Sequence, residues 1–108
     1  MALIHAQPLD IIDLHQADDP SSVTVSRSLL RSQHLQLLRV VLAAGDTLPK
    51  HHVRGDVTIQ CLYGEADLVM PSRTSRLVAG ALVMLPAEAP HEVHAHENTV
   101  LLVTIVQP

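Results

Sequence analysis

Residues 45–64 read GDTLPKHHVRGDVTIQCLYG, and the organisation of the chain can be worked out from this stretch. It begins at Gly45, passes two adjacent histidines, His51 and His52, and ends at Gly64. Glycine favours turns because it has no Cβ and adopts positive φ without strain. The stretch therefore predicts a turn, a short histidine-bearing loop, a strand and a second turn, in that order.

The second half of this stretch has the alternation of a β-strand. Apolar side chains recur at every second position from residue 57 onward, as expected when one face of a strand is buried. The buried face is predicted to carry Val57, Ile59 and Cys61, whereas Gln60 lies on the other face. Nothing beside Cys61 in sequence would lower the pKa of its thiol, so we interpret it as a small core residue.

A second stretch, residues 80–96, reads GALVMLPAEAPHEVHAH and has the same order of glycine, apolar strand, proline turn and histidine. Its apolar strand ends at Pro86, and a further strand begins near His91. Side chains two positions apart share a face of a strand. We therefore expect His94 and His96 to point away from the face that carries His91.

Short apolar segments separated by turn residues make up the rest of the chain. An edge strand and a loop are expected in 1–22, and turns at 32–34 and 71–75. Besides the strand at 57–62, strands are expected at 23–31, 35–43, 65–70, 76–79, 81–85, 91–96 and 98–106. A helix is an alternative at 35–43, because this run lacks strict alternation. Eight or nine short strands with no convincing amphipathic helix indicate an all-β sandwich or barrel.

Charge and cysteine content limit the classes of function. The net charge is −4 at pH 7 and no two lysine or arginine residues are adjacent, which argues against a surface that follows a nucleic acid backbone. Cys61 is the single cysteine, and residues 1–10 lack the features of a secretory signal. The apolar stretch 77–86 is too short to cross a bilayer as a helix. We expect a cytoplasmic protein that binds a small molecule, with no nucleic acid or membrane partner.

The two stretches resemble the paired motifs of the cupin superfamily, in particular small RmlC-like cupins that mostly lack an assigned activity. The cupin motifs are written G-x5-H-x-H-x3/4-E-x6-G and G-x5-P-x-G-x2-H-x3-N. Six residues stand at this spacing: Gly45, His51 and Gly64 in the first motif, and Gly80, Pro86 and His91 in the second.

This resemblance implies a jelly-roll barrel, also called a double-stranded β-helix. A single cupin domain would then cover residues 1–108, with N-terminal edge strands and a loop at 1–34 and the barrel core at 35–106. A domain of this size has too little interior for all its leucine and valine residues, and the strand at 35–43 is apolar on both faces. We therefore expect a homodimer, as is common in the family.

The resemblance also implies where a metal would bind. In metal-binding cupins, two histidines and a glutamate of the first motif and one histidine of the second hold a divalent metal such as zinc, nickel, manganese or iron. His51 and His91 match two of these four positions, but Val53 and Val57 occupy the other two. His52 is a third candidate ligand, although neighbouring side chains in a regular strand point to opposite faces.

Two functions of different class follow from these residues. The first is a small-molecule-binding barrel with a histidine-lined pocket at His51, His52 and His91, which binds with or without a divalent metal. Val53, Val57 and Gln60 are the further pocket candidates, although alternation places Gln60 opposite Val57. The second is a metal-dependent enzyme of the dioxygenase or isomerase type. The two valines make the pocket drier and less polar than metal chemistry usually requires, which favours the first function.

Overall fold

The computed structural model describes residues 5–14, 26–51 and 53–107, and only the backbone of residues 49–51. These residues form nine strands and contain no α-helix. The strands are β1 (Arg27–Arg31), β2 (Leu35–Leu42), β3 (Thr47–His51), β4 (Val57–Tyr63), β5 (Glu65–Met70), β6 (Arg73–Val78), β7 (Leu82–Leu85), β8 (His91–Ala95) and β9 (Thr99–Val106). The predicted all-β class is confirmed.

The strands form two antiparallel sheets that pack face to face. The five-stranded sheet has the order β1-β2-β9-β4-β7, and the four-stranded sheet has the order β3-β8-β5-β6. Side chains from both sheets meet in one core between them. The jelly-roll fold is confirmed, but the sheets are not closed into a barrel among the described residues. The prediction of a closed barrel is wrong because each sheet ends in its own edge strands, and the apolar inner faces hold the two sheets together instead.

The alternation predicted for β4 and β8 is present. In β4, Val57, Ile59 and Cys61 are buried. In β8, His91 lies on the buried face, and His94, in the alternate position, is exposed. The period of two therefore identified the inward side of both strands correctly.

Three local features differ from the predictions. Residues 47–51, expected to be a loop, form β3, which pairs with β8 at Thr47↔His94 and Leu48↔Val93. Because β3 is an edge strand, Pro49 is tolerated in it. The predicted turn at 71–75 is confined to 71–72, since β6 already begins at Arg73. Residues 5–14, the described part of the predicted edge strand at 1–22, form no strand.

Gly64 joins the two sheets where the chain passes from β4 to β5. Its φ is +88°, in the region that favours glycine. A Cβ at this position would lie 2.7 Å from Thr99 Oγ1 and would also collide with the carbonyl oxygen of Asn98. Gly45 and Gly80 also have positive φ, but a Cβ there would point into open space. Of these three glycines, Gly64 is therefore the one required by both conformation and space.

The outer faces of the two sheets differ in polarity. On the four-stranded sheet, Arg76 Nη1 lies 2.8 Å from Glu65 Oε1, and Arg76 Nε lies 3.1 Å from Asp67 Oδ1. His96 Nε2 lies 2.8 Å from Asp67 Oδ2, and this hydrogen bond, with that of Arg76, lowers the pKa of the Asp67 carboxyl. On the five-stranded sheet, Leu82 and Met84 are 65% and 60% exposed. The charged face is suited to water, whereas the edge at β7 is apolar.

Candidate functional site

A cavity of about 130 Å³ lies between the sheets at the end where β4 and β8 begin. Nine aliphatic side chains and one imidazole line it: Leu38, Val40, Leu48, Val53, Val57, Ile59, His91, Leu101, Val103 and Ile105. The aliphatic residues come from β2, β3, β4, β9 and the loop between β3 and β4. Strand pairing brings them together, because β2 and β4 are both hydrogen-bonded to β9.

His91 is the polar side chain of this lining. It is the first residue of β8 and is only 3% exposed. Its Nδ1 lies 3.0 Å from the carbonyl oxygen of Ala89. Because a carbonyl oxygen only accepts hydrogen bonds, Nδ1–H is the donor, and in the neutral ring the proton is therefore on Nδ1 rather than on Nε2. The backbone of the preceding turn thus fixes both the orientation and the tautomer of the imidazole.

The turn at 86–89 is itself attached to the loop between β3 and β4. Ala89 N–H donates to the Pro86 carbonyl oxygen at 3.2 Å, and Glu88 N–H donates to the Val53 carbonyl oxygen at 2.8 Å. Glu88 has a φ of +67°, and it occupies the position where the cupin motif has glycine. Hydrogen bonding therefore holds Val53 and His91, which come from different motifs, at the same end of the fold.

The structure brings the two motif histidines to neighbouring backbone positions. His51 of β3 and His91 of β8 are directly paired across the strands. For His51 the structure describes the backbone, and the pairing brings its Cα close to that of His91. His52 lies outside the described residues, so its predicted role as a ligand stays a prediction.

The pocket residues predicted from the sequence divide into two groups. Val53 and Val57 line the cavity together with His91. Gln60 is half-buried on the opposite face of β4 from Val57 and Ile59, and the structure does not bring it to the cavity. The alternation of β4 had already indicated this orientation.

Most of the cavity wall was not identified from the sequence. Leu38 and Val40 of β2, and Leu101, Val103 and Ile105 of β9, belong to long apolar runs without strict alternation. Burial on both faces removes the period of two, so the inward side of such a strand cannot be read from its own sequence. The pairing of β9 with β4 supplies that information, because residues paired across strands share a face.

The donor atoms described at this site do not by themselves make up a complete metal centre. Structural transition-metal sites usually have four protein ligands, and catalytic sites usually have three. Among the described residues, no group of three histidine, cysteine, aspartate or glutamate side chains is arranged to hold a metal ion. Val53 and Val57 provide only apolar surface at the two remaining ligand positions of the motif.

Two of the comparisons with known proteins give no match. No family model matches the chain, and no curated protein matches it. In the part of the chain that the structure describes, no helix is long and apolar enough to cross a membrane.

Solved structures, in contrast, match this fold closely. A conserved protein of unknown function from Streptococcus pyogenes has a TM-score of 0.77 at 26% identity, and the match covers 100% of this chain and 98% of that one. A cupin superfamily protein from Desulfitobacterium hafniense has a TM-score of 0.75 at 23% identity, with 78% and 77% covered. An RmlC-like cupin from Desulfovibrio desulfuricans has a TM-score of 0.71 at 23% identity, with 97% of both chains covered. The predicted cupin fold is confirmed.

Proposed function

We propose that this cupin-fold chain binds a small molecule through an apolar group that enters the cavity beside His91. The enclosed aliphatic lining with a single imidazole is the observation that carries the proposal. Ligand sites are typically concave and mostly apolar, with a few polar groups that orient the ligand. An engineered protein cavity of about 150 Å³ binds benzene, so a volume of about 130 Å³ suits a group of comparable size.

The physical driving force is the removal of apolar surface from water. A buried water molecule needs two to four polar partners, and the described lining offers one side chain, His91. Water is therefore held weakly in this cavity, and an apolar group that replaces it gains dispersion contacts with the aliphatic wall.

Titration with toluene, observed through the methyl resonances of the protein, tests this proposal. Saturable shifts are expected for the cavity methyl groups of Ile59 and Val103. Val53→Phe places a phenyl group against the cavity from a loop position and is expected to weaken toluene binding at least about tenfold, a change of about 1.4 kcal/mol. Leu82→Phe, on an exposed strand edge away from the cavity, is the matched control and should leave binding unchanged. Unshifted methyl resonances at Ile59 and Val103 would refute the proposal.

Metal binding at His51 and His91 is the second candidate, with His52 as a third ligand, and it would place the chain among metal-dependent enzymes. One contact favours it: metal-binding histidines usually donate their other ring N–H to a carbonyl or carboxylate, and His91 Nδ1 makes such a contact with Ala89. The small donor set described above counts against it.

Elemental analysis of protein purified without a histidine tag separates the two candidates. Stoichiometric zinc, nickel, manganese or iron that disappears in both His51→Ala and His91→Ala would support the metal site. Loading the protein with each metal before a second analysis controls for loss during purification. A substoichiometric content after loading that is the same in all three proteins would contradict the metal site.

We also propose that the chain forms a homodimer in the cytoplasm through the apolar β7 edge of the five-stranded sheet. The exposed Leu82 and Met84 support this choice of surface, since adjacent exposed apolar residues of this size favour association. Sedimentation velocity of the wild type and of the double variant Leu82→Glu, Met84→Glu tests it, because two buried like charges would oppose association. Val78→Glu, on the other sheet, is the control. A monomeric wild type at micromolar concentration would contradict the proposal.

A further inference from the structure

A second, larger space opens directly outside the cavity. This groove has a volume of about 420 Å³ and is lined by Gln36, Val53, Arg54, Gly55, Ile105, Val106 and Gln107. Val53 and Ile105 also line the inner cavity, so they form a wall common to both spaces. The cavity and the groove are therefore neighbours at this end of the fold.

The groove differs from the cavity in its polar groups. Arg54 is the charged side chain of its described lining, and Gln36 and Gln107 add two amides. No carboxylate lines either space in the part of the chain described. In a chain with a net charge of −4, the described lining of this groove carries one positive charge and no negative one.

Arg54 also differs from Arg76 in its surroundings. Arg76 forms ion pairs with Glu65 and Asp67, which already neutralise its charge. No carboxylate of the described residues forms an ion pair with Arg54, and the nearby Asp56 Oδ1 instead accepts a hydrogen bond from Ala87 N–H at 3.1 Å. Arg54 is exposed and lines the groove, so the five N–H donors of its guanidinium are available to a ligand there.

We propose that the ligand is a small amphipathic carboxylate, with its apolar group in the cavity and its carboxylate in the groove at Arg54. This inference rests on the proposed binding function and specifies its ligand class. A guanidinium binds a planar carboxylate through two parallel hydrogen bonds. The amides of Gln36 and Gln107 can donate further hydrogen bonds to the same group. In this proposal a short linker of the ligand passes between the two spaces beside Val53 and Ile105, which line both of them.

Calorimetric titration with a matched pair of probes tests the ligand class. The probes are 3-phenylpropanoate and 3-phenylpropan-1-ol, which share the phenyl group and the linker and differ in the charge of the terminal group. The carboxylate is expected to bind about tenfold more tightly than the alcohol at low salt, the lower end of the effect of a hydrogen bond to a charged group. This ratio should fall as salt is added, since exposed charges are screened.

Two variants assign the preference to the groove. Arg54→Gln is expected to weaken binding of the carboxylate much more than binding of the alcohol, and so to reduce the ratio of the two affinities to about one. Arg73→Gln makes the same change in net charge on the outer edge of the four-stranded sheet, and it should keep the tenfold ratio. Val53→Phe should weaken both probes, because it acts on the shared wall.

The outcomes distinguish failure of this inference from failure of the proposed function. Equal affinity for the two probes would overturn the proposal that the ligand is a carboxylate, and so would a preference for the carboxylate that survives Arg54→Gln. In both cases, binding of the phenyl group would still support the cavity as a binding site. Absence of binding for both probes, or binding that Val53→Phe does not weaken, would overturn both. Circular dichroism of each variant confirms that the strands are intact in every comparison.

Discussion

The two ends of the space between the sheets are built from the same strands but packed differently. At the end that contains His91, large aliphatic side chains line a cavity of about 130 Å³. At the opposite end, Cys61, Ala66 and Ala95 lie in the core with little or no exposed surface. Thr99 is also fully buried there, and its Oγ1 donates to the Glu97 carbonyl oxygen at 2.8 Å.

This difference shows how a small fold without aromatic core residues can keep both stability and a binding space. Small residues fill the packed end, where Gly64 lies close to Thr99. At the cavity end, branched side chains and the imidazole of His91 surround an unfilled space. Substitutions at the packed end should therefore affect stability, and substitutions at the cavity end should mainly affect binding.

The largest effect is expected for Gly64→Ala at the packed end. The strained φ and the collision of the new Cβ with Asn98 and Thr99 should together lower the free energy of unfolding by about 4 kcal/mol. Gly80→Ala shares the positive φ but has open space for the Cβ, so it should cost about 1 kcal/mol. Urea denaturation of both variants measures the difference. Equal losses would show that conformation alone matters and that the end at Gly64 is not tightly packed.

A smaller difference is expected between two leucines of the core. Leu68 is almost completely buried outside the cavity, so Leu68→Ala should cost about 3 kcal/mol through lost burial and a new void. Leu38 lines the cavity and is only partly buried, so Leu38→Ala should cost about 1 kcal/mol. Urea denaturation measures both costs from the shift in midpoint, provided that the m-value, the slope of unfolding free energy against urea concentration, is unchanged. A cost for Leu38→Ala as large as that for Leu68→Ala would contradict the difference in packing.

Enlarging side chains should show the same difference between the packed end and the cavity end. Ala66→Val adds two methyl groups where no space is available and should destabilise the fold by about 2 kcal/mol. Val57→Ile adds one methyl group beside the cavity and should change stability by less than about 0.5 kcal/mol, because the new group enters existing space. Thermal unfolding of the two variants checks this. A destabilising Val57→Ile would indicate that the cavity is not accessible to an additional methyl group.

The smallest effect is expected from the thiol of Cys61. Burial raises the pKa of this thiol, and the nearby Glu97 and Glu65 carboxylates raise it further, although a hydrogen bond to the Tyr63 backbone partly opposes the shift. Above the ordinary thiol pKa of about 8.5, the unfolded chain loses this proton before the folded chain does. The stability therefore falls as the pH rises through this window. Cys61→Ala should show a shallower alkaline loss in urea denaturation between pH 8 and pH 10, and identical pH dependence would contradict the shift.

Much of the fold could be predicted from local sequence. Turn glycines, the strict alternation in β4 and the motif spacing predicted the strands and the jelly-roll class, because these signals depend on neighbouring residues. The existence of β3 could not be predicted in this way. Its pairing with β8 involves residues at least 40 positions apart, and Pro49 suggested a turn until the position of β3 at a sheet edge was known.

By itself, the sequence determined which side of β4 and β8 faces inward, and it placed His91 on the buried face. It also showed that Val53 and Val57 replace two ligand positions of the cupin motif. Only the tertiary structure decided that these residues enclose a cavity and that Arg54 stands at a groove beside it. The physical reason is that alternation along one strand shows which of its side chains share a face. A cavity depends instead on how side chains from several strands pack together, and one strand's sequence does not contain that information.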